Sequence, residues 1–192
     1  MRVYLAGPEV FLPDVRDILA TKAALARARG FQPVTPLDND LPPGGDRFAT
    51  GMRIYRSNIA LMNGCDAIVA NLTPFRGVGA DPGTCFELGY MVARGARIAA
   101  YSNDPRGHFD RLQAGFYHGA ARPDAGGEHR GPDGLALENF NMFDNLMLHG
   151  AAAMPGAVLI VAPPGAAVDE DRLSRGMETF VACLARLAEA GA

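Results

Sequence analysis

Lysine is almost missing from this chain: Lys22 is the single one in 192 residues, and the other basic side chains are arginines scattered without a block. A phosphate backbone is gripped by a concentrated basic surface, and here 18 basic groups face 21 acidic ones for a formal net charge of -3. A nucleic-acid polymer is therefore not an expected partner. Long apolar runs are missing too. None approaches the ~20 residues that cross a bilayer, and the chain does not open on a cationic stretch followed by an apolar one, as a secretory signal would. No membrane association is expected. Cysteine is sparse and odd in number: Cys65, Cys85 and Cys183 show no CxxC spacing. That fits a reducing compartment, so a cytoplasmic location is the expectation, and it argues against a disulfide framework or a zinc cluster.

What is present is an ordinary globular balance, with 48% hydrophobic and 20% charged residues in a length that suits one domain over residues 1–192. Short apolar runs read as strands over Arg2 to Ala6, Phe31 to Thr35, Asp66 to Asn71, Arg97 to Tyr101 and Ala157 to Ala162. Between them, apolar residues recur at helical spacing. Helices are expected from Asp14 to Arg29, Phe48 to Asn63, about Thr84 to Arg94, and Asp169 to Ala190. In the second of these, Met52, Tyr55, Ile59 and Met62 share one side. Strands that are apolar without alternation, separated by helices, imply an α/β fold with a parallel sheet covered on both faces. Ligands of such sheets sit at the carboxyl ends of the strands, where strand order reverses. The candidate loops are then Gly7 to Pro13, Pro36 to Asp46 and Leu72 to Gly83.

The stretch from Gly107 to Leu137 breaks this rhythm. It holds Gly-Gly, Pro-Asp pairs and three of the four histidines, and reads as a long insertion loop at about 107–137. His108, His118, His129 and His149 lack metal-ligand spacing, so no metal site is expected. Gly77-Val78-Gly79 follows a strand and precedes a helix, as a dinucleotide loop would. The last position of that motif falls on Pro82, where glycine or alanine is required, and the reading is rejected. No cofactor is indicated.

The densest stretch is NLTPFRGVGADPGTCFELG, Asn71 to Gly89. Thr84 and Glu87 have the T-x-x-E spacing of a capping box, and spacing alone favours that structural role for Glu87. The same placement has a chemical reading. A carboxylate in the first helical turn is kept ionised by the macrodipole, and beside a strand-end crevice it can attack an anomeric carbon as the base departs.

At this point the sequence resembles the nucleoside 2-deoxyribosyltransferase family over most of its length. The pieces that carry the resemblance are VYLAGPEVF at Val3 to Phe11, PLDN at Pro36 to Asn39 and CDAIVANLTPFRG at Cys65 to Gly77. They continue with ADPGTCFELG at Ala80 to Gly89 and DNLML at Asp144 to Leu148. The resemblance implies a flavodoxin-like, doubly wound sheet of about five parallel strands. It also implies ping-pong transfer of 2-deoxyribose between nucleobases, with 2'-deoxynucleosides and free nucleobases as ligands. Glu87 matches the family nucleophile, and Tyr4 the strand-end tyrosine that orients it. Asp81 matches the aspartate that holds the sugar 5'-hydroxyl. A carboxylate there accepts a bond from an alcohol and repels a phosphate dianion, which favours free nucleosides over nucleotides. Asn145 and Met147 match an Asn-x-Met element lent by a neighbouring subunit, so a homo-oligomer, a dimer or a trimer of dimers, is implied. Without the resemblance these residues read as a turn aspartate and as members of a helix with Phe140, Phe143 and Leu146.

One position departs from the family. Counting back eight residues from Asp66 gives Asn58, where well-known members place the aspartate that protonates the leaving base. An amide hydrogen-bonds a base edge and delivers no proton. The base side of the pocket is expected to be built by Phe11, Asp38 to Asp40, and Thr73, Pro74, Phe75 and Arg76, with Gly7 and Pro8 letting backbone approach the ligand. Arg76 has three readings: a partner for Asp81, a ligand contact, or a solvated surface arginine. Two further functions stay open at this stage, an N-glycoside hydrolase of the same superfamily and a non-catalytic nucleoside sensor.

Overall fold

The computed structural model describes residues 1–39 and 44–190. Seven strands form among them: β1 (Arg2–Ala6), β2 (Gln32–Val34), β3 (Ala67–Asn71), β4 (Arg97–Ser102), β5 (Arg122–Pro123), β6 (His129–Arg130) and β7 (Val158–Val161). The helices are α1 (Val15–Arg27), α2 (Arg47–Asn63), α3 (Pro82–Ala93), α4 (His108–Asp110), α5 (Leu146–Ala152), α6 (Glu170–Arg175) and α7 (Glu178–Glu189). Five strands make one sheet in the order β2-β1-β3-β4-β7, and every neighbouring pair is parallel. This is the doubly wound, flavodoxin-like order, with its switch point at β1 and β3.

The residues explain the layering. All of β3 is buried, because helices cover both faces and neither needs a polar side. Side chains still alternate. Tyr4, Ala6, Ile68, Ala70 and Ile98 point to one face, where Met62 of α2, Leu88 and Met91 of α3 and Ala152 of α5 pack on them. Val3, Leu5, Ala67, Val69 and Tyr101 point to the other, against Ala26 of α1 and Phe180, Cys183, Leu184 and Leu187 of α7. The register sets Tyr4 opposite Val34 and Ile68, so its ring leaves the sheet on the α3 side near the carboxyl edge.

The expected strands stand where the apolar runs placed them, within a residue at each end. Two helical expectations and one loop expectation need correction. The last helix is two: Gly176 separates α6 from α7, and Asn103 Nδ2 donates to the carbonyls of Leu173 (3.1 Å) and Gly176 (3.2 Å), taking over carbonyls freed at the break. Phe140 and Phe143 precede α5, which starts only after Asn145. The stretch 107–137 is not irregular throughout. It contains α4, a π-helical turn over Arg111–Phe116, and the antiparallel pair β5–β6.

A polar cluster lies inside the α1 side of the sheet. Lys22 sits on the buried stripe of α1 with Ile18, Leu19, Ala23 and Ala26. Its Nζ contacts the Glu9 carboxylate, donates to Tyr101 Oη at 2.5 Å, and lies 5.0 Å from the Phe180 ring centre. Burial pushes the Lys22 ammonium below the ordinary lysine range. Glu9 Oε1 also accepts from Asn71 Nδ2 (2.7 Å) and from Tyr101 (3.2 Å). Gly7 is required here: a Cβ on it would sit 1.9 Å from Glu9 Oε2. Since Lys22 is the chain's single lysine, an amine-reactive ester is expected to modify the N-terminal amine of the folded protein and spare Lys22, and to label both after denaturation. Peptide mapping that finds Lys22 acylated as fast as the N-terminus in the native protein would contradict this placement.

Candidate active site

Helix α3 begins earlier than the T-x-x-E spacing suggests. Asp81 is its N-cap: Oδ2 accepts from the Thr84 N–H at 2.8 Å and from Thr84 Oγ1 at 3.0 Å, and Pro82 takes the first helical position. Glu87 is therefore the sixth helical residue, past the first turn, and caps nothing. The macrodipole fades beyond that turn, so it does not set this carboxylate's charge. Glu87 instead turns toward the sheet, where Tyr4 Oη donates to Oε1 at 2.8 Å. Tyr4 itself is fully buried.

Burial pushes the Glu87 carboxyl up to about 7; the Tyr4 hydrogen bond pulls down against it, and the negative charge of Asp81 adds to the rise. One phenol donor does not replace the water that a carboxylate gives up. The first-turn placement that would keep this carboxylate ionised through the dipole is not found, and burial favours its protonated form. Burial and the facing Glu87 push the Tyr4 phenol far above its usual range, so it remains a donor.

A cavity of about 330 Å³ opens between α2 and α3, lined by Tyr55, Asn58, Ile59, Met62, Gly83, Phe86 and Glu87. Phe86 is the centre of an aromatic row, with Tyr55 at 6.1 Å on one side and Tyr90 at 6.3 Å on the other. Asn58 faces this space, and its Oδ1 lies 3.5 Å from Asn39 Nδ2. Asn39 in turn donates to Pro36 O at 2.6 Å, which ties the loop after β2 to the cavity wall. The arrangement is a carboxylate lining a mostly apolar slot, with an amide on the facing helix and a second carboxylate, Asp81, at the N-cap of α3 six positions earlier. Among the described residues, no group of three or more His, Cys, Asp or Glu is placed to hold a metal ion.

A sequence profile of the nucleoside 2-deoxyribosyltransferase family matches residues 3–147. The chain belongs to that family. Among solved structures, the 2-desoxiribosyltransferase from Leishmania mexicana is similar over 98% of this chain and 97% of its own, with 30% identity and a TM-score of 0.63. A conserved protein from Enterococcus faecalis V583 shares the fold at 17% identity and a TM-score of 0.56, over 97% and 98% of the two chains. An uncharacterised protein of Schizosaccharomyces pombe is 30% identical over 174 residues, 83% of this chain and 80% of its own.

The other expected site residues of this deoxyribosyltransferase family member fall in several places. Pro8, Pro74, Phe75 and Arg76 line a different cavity, of about 500 Å³, together with Glu9, Leu12, Thr73, Leu173 and Ser174. Phe11 stacks on Phe75 at 4.9 Å, and the Arg76 guanidinium lies 5.1 and 4.7 Å from the two ring centres. Arg76 is thus held over aromatic faces, not beside Asp81. Gly7 packs against Glu9 and Asn71. Asn145 caps α5: its Oδ1 accepts from the Met147 N–H at 3.0 Å, and its Nδ2 donates to Glu138 Oε1 at 2.8 Å. Met147 is 72% exposed, and neither residue lines the Glu87 cavity. Asp40 lies outside the described residues.

Sequence reasoning missed Glu9 and Lys22, and missed Phe86 as a wall of the slot. Lys22 carried a signal, since it stands three residues after Leu19 and four before Ala26 on an apolar helical stripe. Phe86 carried none beyond its place next to Glu87.

A carboxyl whose folded value, about 7, lies above its ordinary 4.5 favours folding while protonated. That contribution is full below about 4.5 and is lost as pH rises through about 7. Glu87→Gln keeps an acceptor for Tyr4 without the charge, so it is expected to melt at a higher temperature than the wild type at pH 8, with the gap shrinking toward pH 5. A gap independent of pH would contradict a buried, titrating Glu87.

Proposed function

We propose that this protein transfers 2-deoxyribose between nucleobases by double displacement through a covalent glycosyl–Glu87 ester. The observation that carries the reading is the Tyr4–Glu87 hydrogen bond of 2.8 Å beside the slot between α2 and α3. A phenol donating to Oε1 leaves Oε2 to meet the anomeric carbon. In the first displacement Oε2 bonds to C1', the C1'–N bond breaks, and its electron pair leaves with the base. The base nitrogen takes a proton from water, because the Asn58 amide has none to give; Asn58 holds the base edge by hydrogen bonding. In the second displacement an incoming base nitrogen attacks C1', sheds its proton, and frees the carboxylate.

Asp81 narrows the substrate. Both capping bonds fall on its Oδ2, so Oδ1 accepts the sugar 5'-hydroxyl, and a 5'-phosphate is repelled. The active unit is a homo-oligomer in which the exposed Met147 of one copy closes the sugar pocket of the next, with Asn145 beside it. A carboxylate held by a phenol beside an open slot suits nucleophilic attack, which favours the enzyme reading over a sensor.

The test is to incubate the protein with deoxyinosine, with and without adenine, and to follow the bases by chromatography. Deoxyadenosine formed only when adenine is present is the expected result. Hypoxanthine released equally in both would establish hydrolysis instead, and binding without turnover would establish a sensor. Glu87→Ala is expected to lower turnover by on the order of 10⁴-fold or more, and Tyr4→Phe by about 10²-fold. The acidic limb of kcat/KM should fall as pH drops below about 7, and Tyr4→Phe should move that limb upward by removing the donor that favours the charged form. A limb left in the ordinary carboxylate range would contradict Glu87 as the titrating nucleophile.

A further inference from the structure

The segment 107–137 sends one charged side chain, Arg111, into the protein interior beside the loop that ends in Asp81. Arg111 begins the π-helical turn and is 2% exposed. Its guanidinium donates through Nε to Val78 O at 2.7 Å, through Nη1 to Arg106 O at 2.6 Å, and through Nη2 to Phe143 O at 2.5 Å. Nη2 also lies 3.2 Å from Asp144 Oδ2, and Asp144 is 1% exposed. The other side of that carboxylate is occupied as well: Oδ1 accepts from the Asn145 N–H at 2.7 Å. The Ala80 N–H also donates to Asp144. His108 Nδ1 stands 3.8 Å from Oδ1 and completes the surroundings.

These bonds join three loops at the carboxyl edge of the sheet. Val78 and Ala80 belong to the loop that ends in the Asp81 cap. Arg106 follows β4. Phe143, Asp144 and Asn145 form the strap that leads into α5 and Met147. We propose that Arg111 and Asp144 form a clasp that positions the Asp81 turn against the Asn145–Met147 strap, so that the sugar 5'-hydroxyl meets a preset acceptor. They are positioning residues, and the proposal rests on the role assigned above to Asp81.

The physical argument is one of direction more than of stability. A buried ion pair adds little net stability over an apolar replacement. Its distinguishing property is geometric: a guanidinium offers five N–H donors in one rigid plane, and four bonds here run to three separate loops. A lysine ammonium in the same place is a point charge that cannot reach Val78 O, Arg106 O and Phe143 O together. Carbonyls left without donors in a buried loop would let that loop shift, and a shift of about 1 Å in a positioning group costs about 10²-fold in rate.

The test compares deoxyinosine with 2',5'-dideoxyinosine, which lacks the 5'-hydroxyl, in the wild type, Arg111→Lys, Asp144→Asn and Asp81→Asn. A hydrogen bond to a charged acceptor, worth about 1.5–3 kcal/mol, gives the wild type a kcat/KM preference for the 5'-hydroxyl of roughly 10- to 100-fold. Both clasp variants are expected to lose most of that preference, approaching Asp81→Asn, while turnover of the 5'-deoxy substrate changes by less than about threefold. A general loss of fold would lower both substrates alike. A preference kept within twofold of wild type in Arg111→Lys and Asp144→Asn would overturn the proposal. Should the wild type turn over neither substrate, the deoxyribosyltransferase reading fails, and amide hydrogen exchange decides the clasp separately. Faster exchange at Ala80 and Asn145 in both variants, with β3 and β4 unchanged, supports it; unchanged exchange at those two amides overturns it.

Discussion

A carboxylate removed from water and given a single phenol as donor is the constraint on which this site depends. Burial raises the proton affinity of Glu87, and the Tyr4 hydrogen bond only partly offsets it. The fold supplies both halves of that arrangement. The parallel register directs Tyr4 out of β1 toward α3. The Asp81–Pro82 cap starts α3 early enough that its second turn, not its first, brings Glu87 over the phenol.

Several other carboxylates are buried, and Glu9 gives the clearest contrast with Glu87. Glu9 meets Lys22, Asn71 and Tyr101 at one oxygen, so its charge is met inside the fold. That cluster continues through Thr73, which donates to Asn71 and accepts from the Asn103 N–H, and it fastens β1, β3 and β4 at their carboxyl ends. Among the described residues, Glu87 has one donor, Tyr4, and it lines an open slot. Glu9 has its partners supplied by the fold, whereas Glu87, with fewer partners beside a cavity, is the carboxylate that the proposed mechanism uses as nucleophile.

The layers of the fold could be read from the chain because their cause is local. Runs such as AIVAN at Ala67–Asn71 are apolar on both sides only if helices cover both faces. The start of α3 was harder, since Thr84 to Glu87 mimics a capping box while the true cap, Asp81 with Pro82 after it, is an equally ordinary helix start. The grouping of Phe11, Phe75 and Arg76 with Glu87 did not follow. These residues stack on one another and border the cavity beside Glu9, and a loop's side of the sheet is decided by packing rather than by its distance along the chain. Arg111 was illegible for a related reason. Its partners are mostly backbone carbonyls, up to 33 residues away in sequence, and a carbonyl has no side-chain signature. The family resemblance points to Glu87, Tyr4 and Asp81 and pairs Tyr4 with Glu87, but it names nothing that holds Asp81.

The most direct measurement of the central claim is to capture the glycosyl ester. The protein would be incubated with a 2'-deoxynucleoside bearing fluorine at the 2' position, which slows both displacements by opposing charge at the anomeric carbon. Acid quenching, intact mass and peptide mapping then follow. The account expects a mass increase of one glycosyl group on the peptide at Glu87, lost when an acceptor base is added and absent in Glu87→Ala. Turnover of the unmodified deoxynucleoside with no such adduct, or an adduct on any other residue, would contradict it.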